Sequence, residues 1–301
     1  MPPNPPGFST RIEFGNELLN PVGVYSNAIG AMSEWSREAW NSEFTGTIGV
    51  LDTRLNIAIR CVEIVQSKKR SSMQMGYVLL GLQSGVVAMA ERNQFQELVV
   101  FLQYQGVVQG VVEFTRGLRS DVALNSSNSS SVLRRRTQDN INSLTQDSGQ
   151  VYDMDPKYHW LSIDWSFEGR SILASEVFTT ILDAMINTAS QKPDAERSYV
   201  YGVSSSGNTA FNIHSLSYTP PGARKLTNDL IRESLYLIAR YIFIKERKFL
   251  ETEFTVSSFR KKIAEGFFMK ISDLQGNQTG STAIEKRNMA RRIATSPKIC
   301  H

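Results

Sequence analysis

The stretch MGYVLLGLQSGVVAMAERNQFQELVVFLQYQGVVQGVVEF, residues 75–114, decides the fold. Met75, Val78, Leu79, Leu82, Val86 and Met89 recur at the three-and-four spacing that lines one face of a helix. Gly76, Gly81 and Gly85 on the same segment let a neighbour pack close to it. Leu98 to Tyr104 and Val107 to Phe114 are then rich in Val, Phe and Tyr, and Gln105-Gly106 between them marks the turn of a hairpin.

The same order recurs downstream. A strand is expected around His159 to Trp165 and a helix from about Ser171, with Val177, Phe178, Ile181, Met185 and Ala189 on one face; strands follow near Tyr199 to Val203 and Ala210 to Leu216. Thr227 caps another helix that turns Leu230, Ile231, Leu235, Ile238, Tyr241 and Ile242 inward, and Leu250 to Val256 and Ile263 to Ile271 read as two more strands. Upstream, Asn20-Pro21 is a helix start, with Tyr25, Ile29, Met32, Trp35 and Ala39 at helical spacing. Leu55, Ile57, Ile59 and Cys61 then alternate with polar or small residues as a half-buried strand does.

The resulting expectation is an α+β fold: antiparallel sheet built from hairpins, helices packed on one face, in three helix-strand-strand units. No residue motif repeats at a fixed period, so the recurrence is one of architecture. Residues 1–120 form a first helix-hairpin region and 156–273 a second with two such units. Between them, 121–155 is rich in Ser and Asn and poor in large apolar residues, as a flexible linker or insert is; 274–301 reads as a basic, disordered tail.

With 301 residues, 41% hydrophobic and 21% charged, the chain can bury a sizeable core. Gln83, Gln103, Gln105 and Gln109 interrupt its most apolar stretches, so no membrane span is expected. The Pro-rich start lacks the basic and apolar blocks of a secretory leader, and the two cysteines, Cys61 and Cys300, are too few for a disulfide framework; both point to an intracellular, cytoplasmic protein. Glycosylation patterns at Asn125, Asn128 and Asn277 and the basic run Arg134-Arg135-Arg136 would matter only in a secreted chain. From Leu274 onward the cations Lys286, Arg287, Arg291, Arg292 and Lys298 stand against the single anion Glu285, an excess equal to the net +4 of the whole chain. An acidic partner would be steered by this tail.

Catalytic chemistry has little material. Gly202-Val203-Ser204-Ser205-Ser206-Gly207-Asn208-Thr209 has the spacing of a phosphate-binding loop, but Asn208 stands where the lysine is needed and a strand follows it, so a hairpin turn is the stronger reading. Asp153-Met154-Asp155 pairs carboxylates as a divalent-ion motif does, yet it sits in a polar turn. His159 lies near Asp164 and Glu168 without the parity of an acid-base pair, and His214 has no second ligand nearby. No catalytic residue, metal site or cofactor is expected. Trp35, Trp40, Tyr158, Trp160, Trp165, Tyr199 and Tyr201 could stack bases or sugars from a sheet face, but core packing accounts for most of them.

The helix carrying Leu235-Tyr236-Leu237-Ile238-Ala239, its following hairpin and the Ser/Asn-rich insert together resemble filamentous-fungal proteins of unknown function. The resemblance implies no activity and transfers no functional residue. The leading expectation is a non-catalytic structural or interaction protein, able to assemble with itself or another protein through its sheet edges and faces. Two alternatives stand beside it. One is nucleic-acid binding through Lys286, Arg287, Arg291 and Arg292; the other is an enzyme or small-ligand binder with a carboxylate pocket that includes Asp164 or Glu168.

Overall fold

The computed structural model describes residues 5–64, 73–117, 148–153 and 157–271. The chain runs β1 (Phe8–Leu18), α1 (Pro21–Trp35), β2 (Glu43–Phe44), β3 (Thr47–Asp52), β4 (Ile57–Glu63), β5 (Met73–Gln74), α2 (Met75–Arg92), β6 (Gln96–Tyr104) and β7 (Val107–Arg116). After it come β8 (Ser148–Tyr152), β9 (Leu161–Ser171), α3 (Ala174–Ala189), β10 (Tyr199–Val203), β11 (Thr209–Ser215), α4 (Asn228–Leu237), β12 (Leu250–Ser258) and β13 (Lys261–Lys270). The last turns of α4 widen into π-helical geometry over Ile238–Ile244.

Two sheets carry the fold, with strand orders β1-β6-β7-β4-β3 and β10-β11-β13-β12-β9-β8. Setting β8 aside, the second order read backwards is β9-β12-β13-β11-β10, which matches the first strand for strand. Both halves therefore trace the path strand, helix, hairpin, helix, hairpin, and all their pairings are antiparallel. The three expected helix-hairpin units are α2 with β6–β7, α3 with β10–β11 and α4 with β12–β13; a fourth, α1 with β3–β4, precedes them. The corresponding hairpins turn alike. Gln105-Gly106 and Phe259-Arg260 each place two residues at positive φ, the two-residue turn whose twist matches the strands it joins.

Each pair of helices covers one face of its own sheet, and the two helical layers pack on each other, α2 against α3 and α1 against α3 and α4. The order is sheet, helices, helices, sheet. Helices apolar on several sides suit the inner layers, as the buried Val24, Tyr25, Ala28, Ile29 and Met32 of α1 illustrate. Tyr25 stacks on Phe178 of α3 with ring centroids 4.4 Å apart, so one core spans both halves. Asn20 caps α1 by accepting from the Gly23 N–H (3.1 Å), and Thr227 caps α4 through the Leu230 N–H (3.3 Å). The α2 glycines make the close approach: a Cβ at Gly85 would come within 2.6 Å of the Phe114 ring, and one at Gly81 would strike Leu102.

Several elements differ from expectation. β1 and β3 complete the first sheet where no strand was expected, and α1 ends at Trp35, leaving Ala39 exposed. His159 lies in the turn ahead of β9. Ser148–Tyr152, at the end of the expected insert 121–155, pairs with β9 and lengthens the second sheet. Residues 118–147 and the whole of 274–301 lie outside the described residues.

Candidate functional site

With the helices packed between the sheets, each sheet turns its other face outward, and the two outer faces differ. On the second sheet, Phe211, Ile213, Phe254, Phe268, Ile163 and Trp165 point into the core. The alternate residues point out and align in two rows set by register. One row is Tyr199, His214, Glu265, Thr255, Asp164 and Gln150; the other is Tyr201, Asn212, Phe267, Glu253, Ser166 and Ser148.

Tyr199 and Tyr201 are 59% and 39% exposed on edge strand β10, large rings held where no core needs them. Beside Tyr201, Asn212 is only 2% exposed, and its side-chain Oδ1 accepts no hydrogen bond. His214 has a buried Nδ1 without a partner, while its Nε2 lies 3.7 Å from Glu265 Oε2. Asp164 accepts from Gln150 (2.6 Å), Glu168 from Ser166 (3.3 Å), and Glu265 pairs with Lys262. An orphaned acceptor costs about 1–3 kcal/mol when buried, a cost the fold carries at Asn212.

The first sheet carries balanced charge outward: Arg11 pairs with Glu13 and Arg60 with Glu113, and the Arg11 guanidinium lies 4.2 Å over the Phe101 ring. The second sheet sets Asp164, Glu168 and Glu265 against Lys262, apart from the pair Arg170–Glu251 (3.4 Å).

Two other polar clusters hold the structure together. The turn over 203–209 closes on Glu176 of α3, which accepts from Ser206 Oγ and Thr209 Oγ1, each at 2.9 Å. Ser204 Oγ in turn accepts from the Asn208 and Thr209 N–H groups. The loop N–H groups are thus satisfied within the loop, and the segment is the hairpin turn its composition suggested. Gly202 is needed because a Cβ there would lie 2.6 Å from the Thr180 carbonyl. Nearby, burial pushes the Asp183 carboxyl above its ordinary range, although the Val203 N–H donates to it at 3.2 Å.

The second cluster lies where the halves meet. Asp229 in the first turn of α4 accepts from Lys157 Nζ (3.0 Å), Arg232 Nη2 (3.3 Å) and the Tyr158 hydroxyl. Arg37, after α1, reaches Glu233 at 3.4 Å and stands 5.9 Å over the Tyr158 ring. Burial pushes the Asp229 carboxyl up, but the hydrogen bonds from Tyr158 and Lys157 outweigh it and hold the group below the usual carboxylate range. Burial likewise raises Tyr158, and the bond to Asp229 adds to it.

Of the aromatic residues singled out, Trp35, Tyr158, Trp160 and Trp165 are buried and Trp40 packs against the core; Tyr199 and Tyr201 alone among them face outward. His159 and Asp164 are not brought together as a pair, and Asp164 and Glu168 line an outward face. Asp153 is buried, while Met154 and Asp155 lie outside the described residues, as do Lys286, Arg287, Arg291 and Arg292, Cys300, and the Asn125, Asn128, Asn277 and Arg134–Arg136 patterns. Among the described residues no group of three or more His, Cys, Asp or Glu could hold a metal ion, and no helix is long and apolar enough to cross a membrane. Asn212 and Glu265 were not singled out from sequence. Alternation through Ala210-Phe211-Asn212-Ile213-His214 is that of a strand, but which strands flank Asn212 depends on sheet order.

Fold and site together define a two-repeat α+β protein with helices enclosed between antiparallel sheets, one of which presents an acceptor-rich, tyrosine-bearing face. No protein-family model and no curated protein matches the chain. Among solved structures it is similar to the tandem DUF26 ectodomain of the Arabidopsis thaliana cysteine-rich receptor-like protein PDLP8, at 9% identity and TM-score 0.24, over 86% of this chain and 96% of that one. The corresponding ectodomain of PDLP5 from the same plant matches at 10% identity and TM-score 0.21, over 86% and 98%. At these scores neither likeness bears on function.

Proposed function

We propose that this protein is a non-catalytic interaction protein, and that the outer face of its second sheet is the surface it uses. The observation that carries the reading is the pair of exposed rings, Tyr199 and Tyr201, on an outward sheet face whose register row also carries Glu265 and Asp164. Rigid aromatic rings around desolvated polar groups are what binding surfaces concentrate. Two other polar clusters have structural work to do: Glu176 closes a turn and Asp229 neutralises the buried Arg232.

The face offers acceptors and negative charge, so the partner it fits supplies N–H donors and positive charge, as an Arg- or Lys-rich peptide segment does. The test is fluorescence anisotropy of a labelled Arg/Lys-rich peptide titrated with the full chain, beside a Glu-rich peptide of equal length. The basic peptide binds, the acidic one does not, and Tyr199→Ala/Tyr201→Ala weakens binding at least about ten-fold. Equal behaviour of the two peptides, or indifference to the tyrosines, overturns the reading.

A further inference from the structure

The face has a candidate occupant within the chain itself. β13 ends at Lys270, and the Ile271 N–H bonds the Asn208 carbonyl at 2.7 Å, so the polypeptide leaves the sheet beside the 203–209 turn. Fifteen residues further on begins Lys286-Arg287, followed by Arg291-Arg292, in a segment that holds the entire net charge of the chain. Fifteen extended residues reach about 50 Å. Six strands about 4.8 Å apart span less than 30 Å, so the whole outer face lies within reach.

Resting on the interaction reading above, we infer that the basic segment Lys286 to Arg292 binds the outer face of the second sheet in the same chain and competes there with outside partners. Charge favours it: Asp164, Glu168 and Glu265 outnumber Lys262 on this face, whereas the charges on the first sheet are matched in pairs. Hydrogen bonding agrees with it: the carboxylates of Asp164, Glu168 and Glu265 are acceptors, and guanidinium and ammonium groups carry donors only. Tyr199 and Tyr201 add exposed rings on which a guanidinium can lie, as Arg224 lies 4.4 Å over Trp160 elsewhere in the fold. Tethering supplies an effective concentration of about 1 mM, so a segment that binds with a Kd of about 0.1 mM holds the face about nine-tenths of the time.

The experiment compares the full chain with its Lys286→Gln/Arg287→Gln/Arg291→Gln/Arg292→Gln variant, whose changes lie outside the described core. The probe is a fluorescein-labelled peptide of residues 284–295, titrated with each protein at low salt. The variant is expected to bind the probe about ten-fold more tightly than the parent chain, because the competitor is gone. Adding Tyr199→Ala/Tyr201→Ala to the variant is expected to abolish binding, as is raising the salt from 50 to 500 mM. Equal affinity of parent and variant overturns self-occupancy and leaves the interaction reading standing. Absence of binding to both overturns the two together. Binding that survives loss of the tyrosines puts the segment on another surface and overturns the inference.

Discussion

Replacing Asp229 with alanine tests the polar cluster beside the junction of the two halves. Arg232 is only 2% exposed and Asp229 21%, so the substitution strands a buried guanidinium and removes the acceptor of the Tyr158 hydroxyl. Removing one member of a buried ion pair costs about 3–5 kcal/mol. The lost tyrosine bond carries its own cost of about 1–3 kcal/mol, but both act through one carboxylate and do not add in full. Lys157, 59% exposed, contributes little. The expected loss is therefore about 3–5 kcal/mol, read as a fall of about 1–2 M in the urea midpoint for an m-value near 3 kcal/mol/M. Arg232→Met in the same chain should recover a large part of it, because the stranded charge is then absent. The carboxyl is held below its ordinary range in the folded protein, so its contribution is complete above a pH of about 4 and fades as pH falls through the folded value; Asp229→Asn removes that dependence. A loss under about 1 kcal/mol, or no recovery with Arg232→Met, would refute the reasoning.

Asp183 behaves in the opposite sense. Burial raises its carboxyl, so across the window above about pH 4 the native state keeps a proton that the unfolded chain has released, and stability declines as pH rises through that window; Asp183→Asn should flatten the decline in pH-dependent urea midpoints. Phe178, fully buried against Tyr25 and Phe249, should cost about 3–5 kcal/mol on truncation to alanine and lower the midpoint of one cooperative transition. Two separated transitions would mean that the halves unfold independently.

Much of this architecture is written locally. The glycine-bearing stripe of α2, the Gln105-Gly106 turn and the caps at Asn20 and Thr227 each act within a few residues, which is why those elements could be read directly. β1 alternates Phe8, Thr10, Ile12 and Phe14 inward with Ser9, Arg11 and Glu13 outward, but it makes a strand only by pairing with β6, some 90 residues away. β3 is short and broken by Gly49, and Phe259-Arg260 turns a hairpin without the Asn or Gly that usually signals one. The candidate site was the least legible part. Tyr199, Asn212, Glu265 and Asp164 come from strands whose sheet order does not follow the chain, so no local pattern places them side by side.

The most direct test of the central claim is side-chain footprinting of three of the exposed tyrosines. Tyr218, 67% exposed on the loop after β11, serves as the internal reference for Tyr199 and Tyr201. With the tail-neutralised variant, saturating basic peptide should slow oxidation of Tyr199 and Tyr201 several-fold and leave Tyr218 unchanged. Equal rates at all three positions with and without peptide would contradict the assignment of this face as the interaction surface.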